Sequence, residues 1–318
     1  MFSSGEKLKV FSFDLSIIIT NSFFSFYTQR QPKPGETIKG NKFCKGFGGK
    51  GANQCVMARY MGAECVMVSK VSLKTGIKYV VLQNNIIVCM DYVKQTPEAS
   101  TATAAITVSQ DGQNCIVIVT GACDLISEAD VQAAESVIQK SKVMICQLEI
   151  SVNISLFAMK MAKKHGVKTI FNSAPAECDI DPEFYTVCDI FCANETEAEI
   201  LTGLNVVSLD DGKKAVTALL DKGCSTVILT FGEHGSLYAT ANDRNVIHVP
   251  SFPVVPVDTT GAGDAFLGSL AYYLACQSDI PILEAIKRSN RVAAITVQYP
   301  GTQLSYKNRN ELPQELFE

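Results

Sequence analysis

From about residue 140 onward the sequence alternates short β-rich runs with helical patterns, and that rhythm constrains the fold more than any other feature. Val143–Glu149 reads as a strand, a helix opens at Ser151, and Val167–Asn172 reads as the next strand. The rhythm continues through Asp189–Ala193, a helix from Asn194, another across Gly212 to Asp221, and the strand Thr226–Thr230. Two long apolar helices follow, one after Gly263 and one from Ile282 to about Val297. Such alternation predicts a mostly parallel sheet with crossover helices, because parallel neighbours cannot be joined by a tight turn. The first third differs: Thr101–Val108 and Asn114–Thr120 are rich in Thr, Ile and Val and suit strands outside the main sheet. No repeat or low-complexity linker interrupts the chain. The expectation is one α/β domain over 1–318 with small β insertions at approximately 33–47 and 96–121.

Composition narrows the class of partner. A chain of 318 residues that is 47% hydrophobic and 19% charged can bury a large core and is neither disordered nor fibrous. The formal net charge is −4, from 28 basic and 32 acidic residues, and no dense Lys/Arg block occurs, so nucleic acid is not expected as a partner. Twelve cysteines are scattered through a long chain, many inside apolar runs, which reads as reduced, buried thiols. Cys188 and Cys192 stand close together, but His165, His234 and His248 lie far from them in sequence, so zinc spacing is absent. The apolar run Leu15–Thr20 is short and follows Asp14, fitting neither a spanning helix nor a signal segment. No membrane is expected, and a cytoplasmic location, with the nucleus also open, follows.

Four segments carry chemistry. In Thr259-Thr-Gly-Ala-Gly-Asp264 small residues precede an apolar helical run, so backbone N–H groups at a helix start can close on an anion. Asp264 there reads either as an acid complementing the helix dipole or as a base that deprotonates a hydroxyl beside a transferring phosphoryl group. Gly46-Phe-Gly-Gly-Lys-Gly-Ala-Asn53 formally contains Gly46-x-Gly48-x-x-Gly51, the dinucleotide spacing of an NAD-dependent oxidoreductase. Lys42–Lys45 makes a poor buried strand, however, and no acid follows about twenty residues on. Lys50 is followed by Gly51 rather than Ser or Thr, which excludes a P-loop. There remains a tight loop whose Lys50 and Asn53 can hydrogen-bond a polyol, or a plain turn before a helix. Asn194-Glu-Thr-Glu197 has the pattern of a helix capping box. Thr230-Phe-Gly-Glu-His-Gly235 is either an ordinary turn or a strand-end loop near phosphates.

Taken together and in this order, these segments resemble the ribokinase-like (PfkB) family of carbohydrate kinases. The resemblance is carried by Pro34-Gly-Glu-Thr-Ile38, Gly48-Gly-Lys-Gly-Ala-Asn53, Gln147-Leu-Glu149, Asn194-Glu-Thr-Glu-Ala-Glu199 and Val257 to Phe266. It implies a ribokinase-like three-layer α/β sandwich with a small β lid. The implied reaction is ATP-dependent phosphorylation of D-ribose at the 5-hydroxyl, giving ribose 5-phosphate. Asp264 becomes the base, with Gly261, Ala262 and Gly263 as the anion hole. Gly48, Gly49, Lys50, Asn53 and Glu149 would contact the sugar. Glu197 would help organise Mg²⁺ while also capping its helix, with Asn194 near the phosphates. Thr230, Phe231, Gly232, Glu233, His234, Gly235, Gly263 and Asn290 would border the nucleotide. A K⁺ site is implied at Asp258, Thr260, Thr296, Tyr299, Gly301 and Ser305, several acting through backbone carbonyls. The resemblance also suggests a homodimer in which the β lids pair.

The first 125 or so residues depart from the family pattern. An Asp that holds the sugar hydroxyls normally follows a Gly-containing first strand, whereas here Asp14 and Asn21 are the nearest candidates and no glycine lies between Gly5 and Gly35. Val71–Lys78 lacks the family's Gly-x-Asp-x-x-Gly, and Cys123 stands where Asn is common. An alternative reading therefore keeps the fold but makes the protein a nucleotide-binding relative with impaired sugar recognition.

Overall fold

The computed structural model describes residues 10–13, 23–74, 81–82, 86–87, 89–110 and 114–318. Among the described residues the strands run in chain order as β1 (Val10–Phe13), β2 (Phe23–Thr28), β3 (Lys42–Gly46), β4 (Cys65–Ser72), β5 (Val81–Leu82), β6 (Ile86–Ile87), β7 (Cys89–Thr96), β8 (Thr103–Ser109), β9 (Asn114–Val119), β10 (Val143–Cys146), β11 (Lys168–Asn172), β12 (Ile190–Ala193), β13 (Thr226–Thr230), β14 (Ser236–Thr240) and β15 (Ile247–Val249). The α-helices are α1 (Lys50–Met61), α2 (Glu128–Ala133), α3 (Glu135–Ile138), α4 (Val152–Lys164), α5 (Glu183–Val187), α6 (Glu195–Thr202), α7 (Leu209–Asp221), α8 (Ala262–Cys276) and α9 (Ile282–Thr296).

The central sheet has nine strands in the order β15-β14-β13-β12-β11-β10-β1-β4-β7, parallel from β13 through β7, with β14 and β15 antiparallel at one edge. Side chains along its strands alternate between two cores. Met144, Cys146, Phe171, Phe191, Val227 and Leu229 pack under α4, α6 and α7. Val143, Ile145, Ile170, Ile190, Cys192 and Ile228 pack under α1, α8 and α9. A strand buried on both faces needs apolar residues at every position, which is why VMIC and IFCA read as continuous runs. The result is the mostly parallel sheet expected from the strand–helix rhythm, within the three-layer α/β sandwich that the resemblance implied.

A separate four-stranded sheet, ordered β3-β2-β8-β9, stands outside this sandwich. Its central pair β2–β8 is parallel and both flanking pairs are antiparallel. Sequence reading located β3, β8 and β9 but not β2, whose parallel partner β8 lies far away in the chain. β3 ends at Gly46, so the Gly46–Gly51 turn leaves this outer sheet rather than a buried central strand, and Phe43 within it is 55% exposed. That context removes the dinucleotide reading. Asp14, Asn21 and Thr75–Lys78 lie outside the described residues. Cys123 is buried in the main core, with its thiol against the Lys70 carbonyl at 3.7 Å.

Helices α1 and α8 lie side by side with both N-termini at the same end of the sheet. Their close approach depends on Gly268, where a Cβ would fall 2.3 Å from the Gln54 carbonyl oxygen and 2.8 Å from the Met57 Cβ. Either contact is far inside van der Waals distance, so a side chain there must push α1 away from α8. Gly268→Ala is expected to destabilise the fold by roughly 1–3 kcal/mol through overpacking. Thermal melting should show the drop as a loss of several degrees, and an unchanged melting temperature would mean that α1 can back away freely.

Candidate active site

The carboxyl ends of the parallel strands and the N-termini of α1, α6 and α8 surround a cavity of about 150 Å³. In open α/β sheets this is where ligands sit, because strand ends and helix N-termini converge there. Lys50 comes from the first residue of α1, Asn172 from the end of β11, Cys192 and Ala193 from β12, and Thr230 from the end of β13. Asn194 and Glu197 enter from the start of α6, and Gly261, Gly263, Asp264 and Leu267 from the start of α8. Converging helix N-termini aim partial positive charge into the space and favour an anion.

The start of α8 is shaped by glycine. Gly261 is its N-cap at φ 80°, a left-handed conformation that suits glycine, and a Cβ there would lie 2.4 Å from the Thr302 methyl. Its carbonyl accepts from the Tyr306 hydroxyl at 2.9 Å. A Cβ at Gly263, by contrast, would meet nothing within 4 Å, so backbone is bare toward the cavity. The Ala262 amide turns back to the Thr259 carbonyl at 3.2 Å. Gly49 likewise opens α1 at φ 95°, and its carbonyl accepts from the Asn53 amide at 2.9 Å.

Asp264 sits one turn into α8, 8% exposed, and its two carboxylate oxygens accept from Asn53 Nδ2 at 2.8 Å and Gln54 Nε2 at 2.9 Å. Burial pushes its pKa up, while the Lys50 ammonium and these two amides pull the other way without cancelling the rise. Glu149 accepts from the Lys50 backbone amide at 2.6 Å. It keeps some solvent contact but is hemmed in enough that desolvation, reinforced by Asp264 and opposed by Lys50, raises its pKa to about 7. Burial alone would lower the Lys50 pKa, yet the carboxylates of Asp264, Glu149 and Glu197 outweigh it and hold the ammonium charged. One cation among three carboxylates leaves the site short of positive charge.

Asn194 and Glu197 form the capping box that their spacing predicted. Asn194 Oδ1 accepts from the Glu197 amide at 2.8 Å, and Glu197 accepts from the Asn194 backbone and side-chain amides at 2.8 and 3.0 Å. The capped carboxylate still lines the cavity, and burial, only partly offset by the Asn194 amide, raises its pKa.

The remaining expected residues are placed more unevenly. Thr230 lines the cavity, but Phe231 is buried, with one ring carbon 3.0 Å from where a Gly212 Cβ would stand. Gly232–His234 form a single 3₁₀ turn, whose His234 carbonyl meets the His248 ring at 2.7 Å. Gly235, at φ 97°, presses against the Val249 carbonyl, where a Cβ would come within 2.3 Å. Asn290 is buried on α9 and donates to Ser236 Oγ at 3.1 Å and the Val249 carbonyl at 3.0 Å, so its amide ties β14 and β15 to the helix. Of the six residues expected around K⁺, Asp258, Thr260 and Gly301 are directly linked. Asp258 accepts from the amides of Thr260 and Gly301, both at 2.9 Å, and its own amide reaches the Val297 carbonyl at the end of α9. The Tyr299 amide bonds the Thr296 carbonyl, and Ser305 Oγ donates to the Thr302 carbonyl.

Sequence reading did not single out Gln54, Asn172, Gln303 or Tyr306. The available signal was a glutamine next to Asn53 inside an otherwise apolar helical run. Nothing marked Gln303, whose amide donates to Asn53 Oδ1 at 3.0 Å across 250 residues of chain.

A fold of this topology, with a buried carboxylate at a glycine-started helix facing an anion-favouring cavity, is that of a small-molecule kinase. The pfkB family carbohydrate kinase model matches residues 9–309, and the chain belongs to that family. Mouse ribokinase is 49% identical over 293 residues, 91% of this chain and 90% of the relative. The deoxyribokinase of Salmonella typhi is 36% identical over 92% of this chain and 95% of the relative. Among solved structures, Arabidopsis thaliana ribokinase complexed with ribose and ATP superposes with a TM-score of 0.85 at 26% identity, covering 98% of this chain and 99% of that one. The protein is a carbohydrate kinase.

The raised Glu149 carboxyl has a measurable consequence. Because the folded chain holds this proton more tightly than the unfolded chain, Glu149 adds stability as pH falls from about 7 toward the ordinary carboxylate range, and loses it as pH rises through about 7. Glu149→Gln is expected to flatten the melting-temperature profile in that window. An unchanged slope would show that Glu149 is not the group responsible.

Proposed function

We propose that the cavity transfers the γ-phosphoryl group of ATP to the 5-hydroxyl of D-ribose, giving ADP and ribose 5-phosphate. The observation that carries this reading is the placement of Asp264. It is buried at the N-terminus of α8, within hydrogen-bond reach of Asn53 and beside Lys50, with the bare backbone of Gly263 next to it. Asp264 takes the hydroxyl proton as the sugar oxygen bonds to the γ-phosphorus, the bond to the β-phosphate oxygen breaks, and ADP leaves. A carboxylate pushed above its ordinary range is a better base than a free one, which suits this step. Gly48, Gly49, Lys50, Asn53 and Glu149 hold the sugar. Gly261, Ala262 and Gly263 form the anion hole. Asn194, Thr230 and the turn Phe231–Gly235 border the nucleotide, with Asn290 fixing β14 and β15 behind them. The identity to mouse ribokinase over most of both chains supports ribose as the sugar.

Metal ions complete the charge balance. Glu197 keeps acceptor capacity toward the cavity, and Mg²⁺ in kinases is held by one or two carboxylates plus phosphates and water rather than by an all-protein cage. The carboxylate, hydroxyl and carbonyl oxygens of Asp258, Thr260, Thr296, Tyr299, Gly301 and Ser305 are hard donors that fit K⁺. When bound, both ions neutralise phosphate charge. The cysteines are free and seven of the twelve are buried, which fits a reducing compartment, the cytoplasm and the nucleus included, and among the described residues no helix is long and apolar enough to cross a membrane.

The outer sheet supports a homodimer. Phe24 and Phe26 on β2, Phe43 on β3, and Val117 and Val119 on β9 share one face, and Phe26, Phe43, Val117 and Val119 are 44–67% exposed. The Phe43 ring lies 5.9 Å from Phe24 and 5.3 Å from Phe26, making a contiguous aromatic patch of the kind that marks an interface. Light scattering should give the mass of two chains, and Phe43→Asp the mass of one; a monomeric wild type would refute the dimer.

The activity itself is tested by ADP formation. The purified protein is expected to release ADP only with ribose and Mg²⁺ present, and faster with K⁺. Asp264→Asn should lower the rate by on the order of 10²–10⁴-fold. Full turnover by that variant would remove Asp264 from the base role.

A further inference from the structure

An ionised carboxylate can only accept hydrogen bonds, and this fixes the orientation of four amides around Asp264. Asn53 and Gln54 must turn their NH₂ groups toward it, as the 2.8 and 2.9 Å contacts record. Their oxygens therefore face away, and each meets another glutamine. Asn53 Oδ1 accepts from Gln303 Nε2 at 3.0 Å, and Gln54 Oε1 accepts from Gln147 Nε2 at 2.5 Å. A weaker branch runs from Gln54 Nε2 to Asn172 Oδ1 at 3.4 Å. Asn53, Gln54 and Gln147 are 5%, 0% and 3% exposed, so water cannot repair a reversed amide. The two outer glutamines come from distant parts of the fold, one just beyond β10 and one in the segment after α9, and neither lines the cavity.

We infer that Gln303 and Gln147 are positioning residues for the transfer reaction, acting on Asp264 through Asn53 and Gln54 by deciding which end of each amide faces the carboxylate. This rests on Asp264 being the base. A carboxylate gripped at both oxygens by N–H donors cannot rotate freely, and each oxygen keeps lone-pair capacity for the substrate hydroxyl. Reversal of either inner amide would set oxygen against oxygen and swing the carboxylate off line. The other charged or titratable groups around Asp264 are Lys50, Glu149, Glu197 and the Tyr306 hydroxyl, and substitution at Gln303 leaves all four in place.

Gln303 is the better test position because it is only half-buried. Gln303→Glu preserves shape but replaces the donor with an acceptor, so Asn53 must turn its NH₂ toward the new carboxylate and its oxygen toward Asp264. Gln303→Met removes the donor without supplying a competing acceptor. Steady-state kinetics should show kcat falling roughly 10- to 100-fold for Gln303→Glu but only a few-fold for Gln303→Met, with the KM for ATP unchanged in both. A merely structural role predicts the reverse order, since Glu is the closer mimic of Gln. The inference is overturned if Gln303→Met is as damaging as Gln303→Glu, or if Gln303→Glu acts through the KM for ATP, which would mark simple charge repulsion. Asp264→Asn measured alongside separates the two layers. If that variant turns over fully, the base assignment fails and the positioning role falls with it. If it is inactive while Gln303→Glu equals wild type, only the positioning role fails.

Discussion

The contact of α1 with α8 at Gly268 is the constraint on which the active site depends. Because a glycine lets the two helices pack with backbone against side chain, their N-termini arrive together at the strand ends. Asn53 and Gln54 on one helix then reach Asp264 on the other at hydrogen-bond distance. Any larger residue at Gly268 would meet the Gln54 carbonyl oxygen at 2.3 Å and push α1 away from α8, lengthening these bonds. Packing in the core thus sets chemistry at the rim.

The electrostatics of the cavity follow from this convergence. The N-termini of α1, α6 and α8 and the Lys50 ammonium favour anions, while Asp264, Glu149 and Glu197 oppose them. The balance keeps Lys50 charged and keeps the carboxylates above their ordinary range. A nucleotide triphosphate entering with its cations would relieve the imbalance. The amides flanking Asp264 add a directional term that charge alone cannot supply, since they constrain where its oxygens point.

Legibility in the sequence varied with the range of the interaction. The strands VMIC and IFCA could be read because each is buried on both faces and apolar throughout, and KTIFN and TVILT because their central residues are buried and β-prone. The capping box at Asn194 and Glu197 could be read because it closes over three residues. β2 could not, because its pairing with β8 joins positions some eighty residues apart. Phe231 and Asn290 illustrate the opposite limit. The family resemblance implied a nucleotide border for both, but their local contacts, a buried ring for Phe231 and amide bonds to Ser236 and Val249 for Asn290, come from tertiary packing.

What the sequence by itself determined was therefore local and periodic: a parallel α/β sandwich, the glycine-started helices, and the residue types able to hold a phosphoryl group and accept a proton. Family resemblance added their roles. Only the tertiary structure decided which of these residues meet. Lys50, Glu149, Glu197 and Asp264 become one electrostatic unit, and Gln147 and Gln303 become neighbours of Gln54 and Asn53, through contacts that span about 90 to 250 residues of chain. Such contacts leave no periodic or short-range trace, because they are fixed by how two helices and a sheet edge pack in three dimensions rather than by the spacing of residues along the chain.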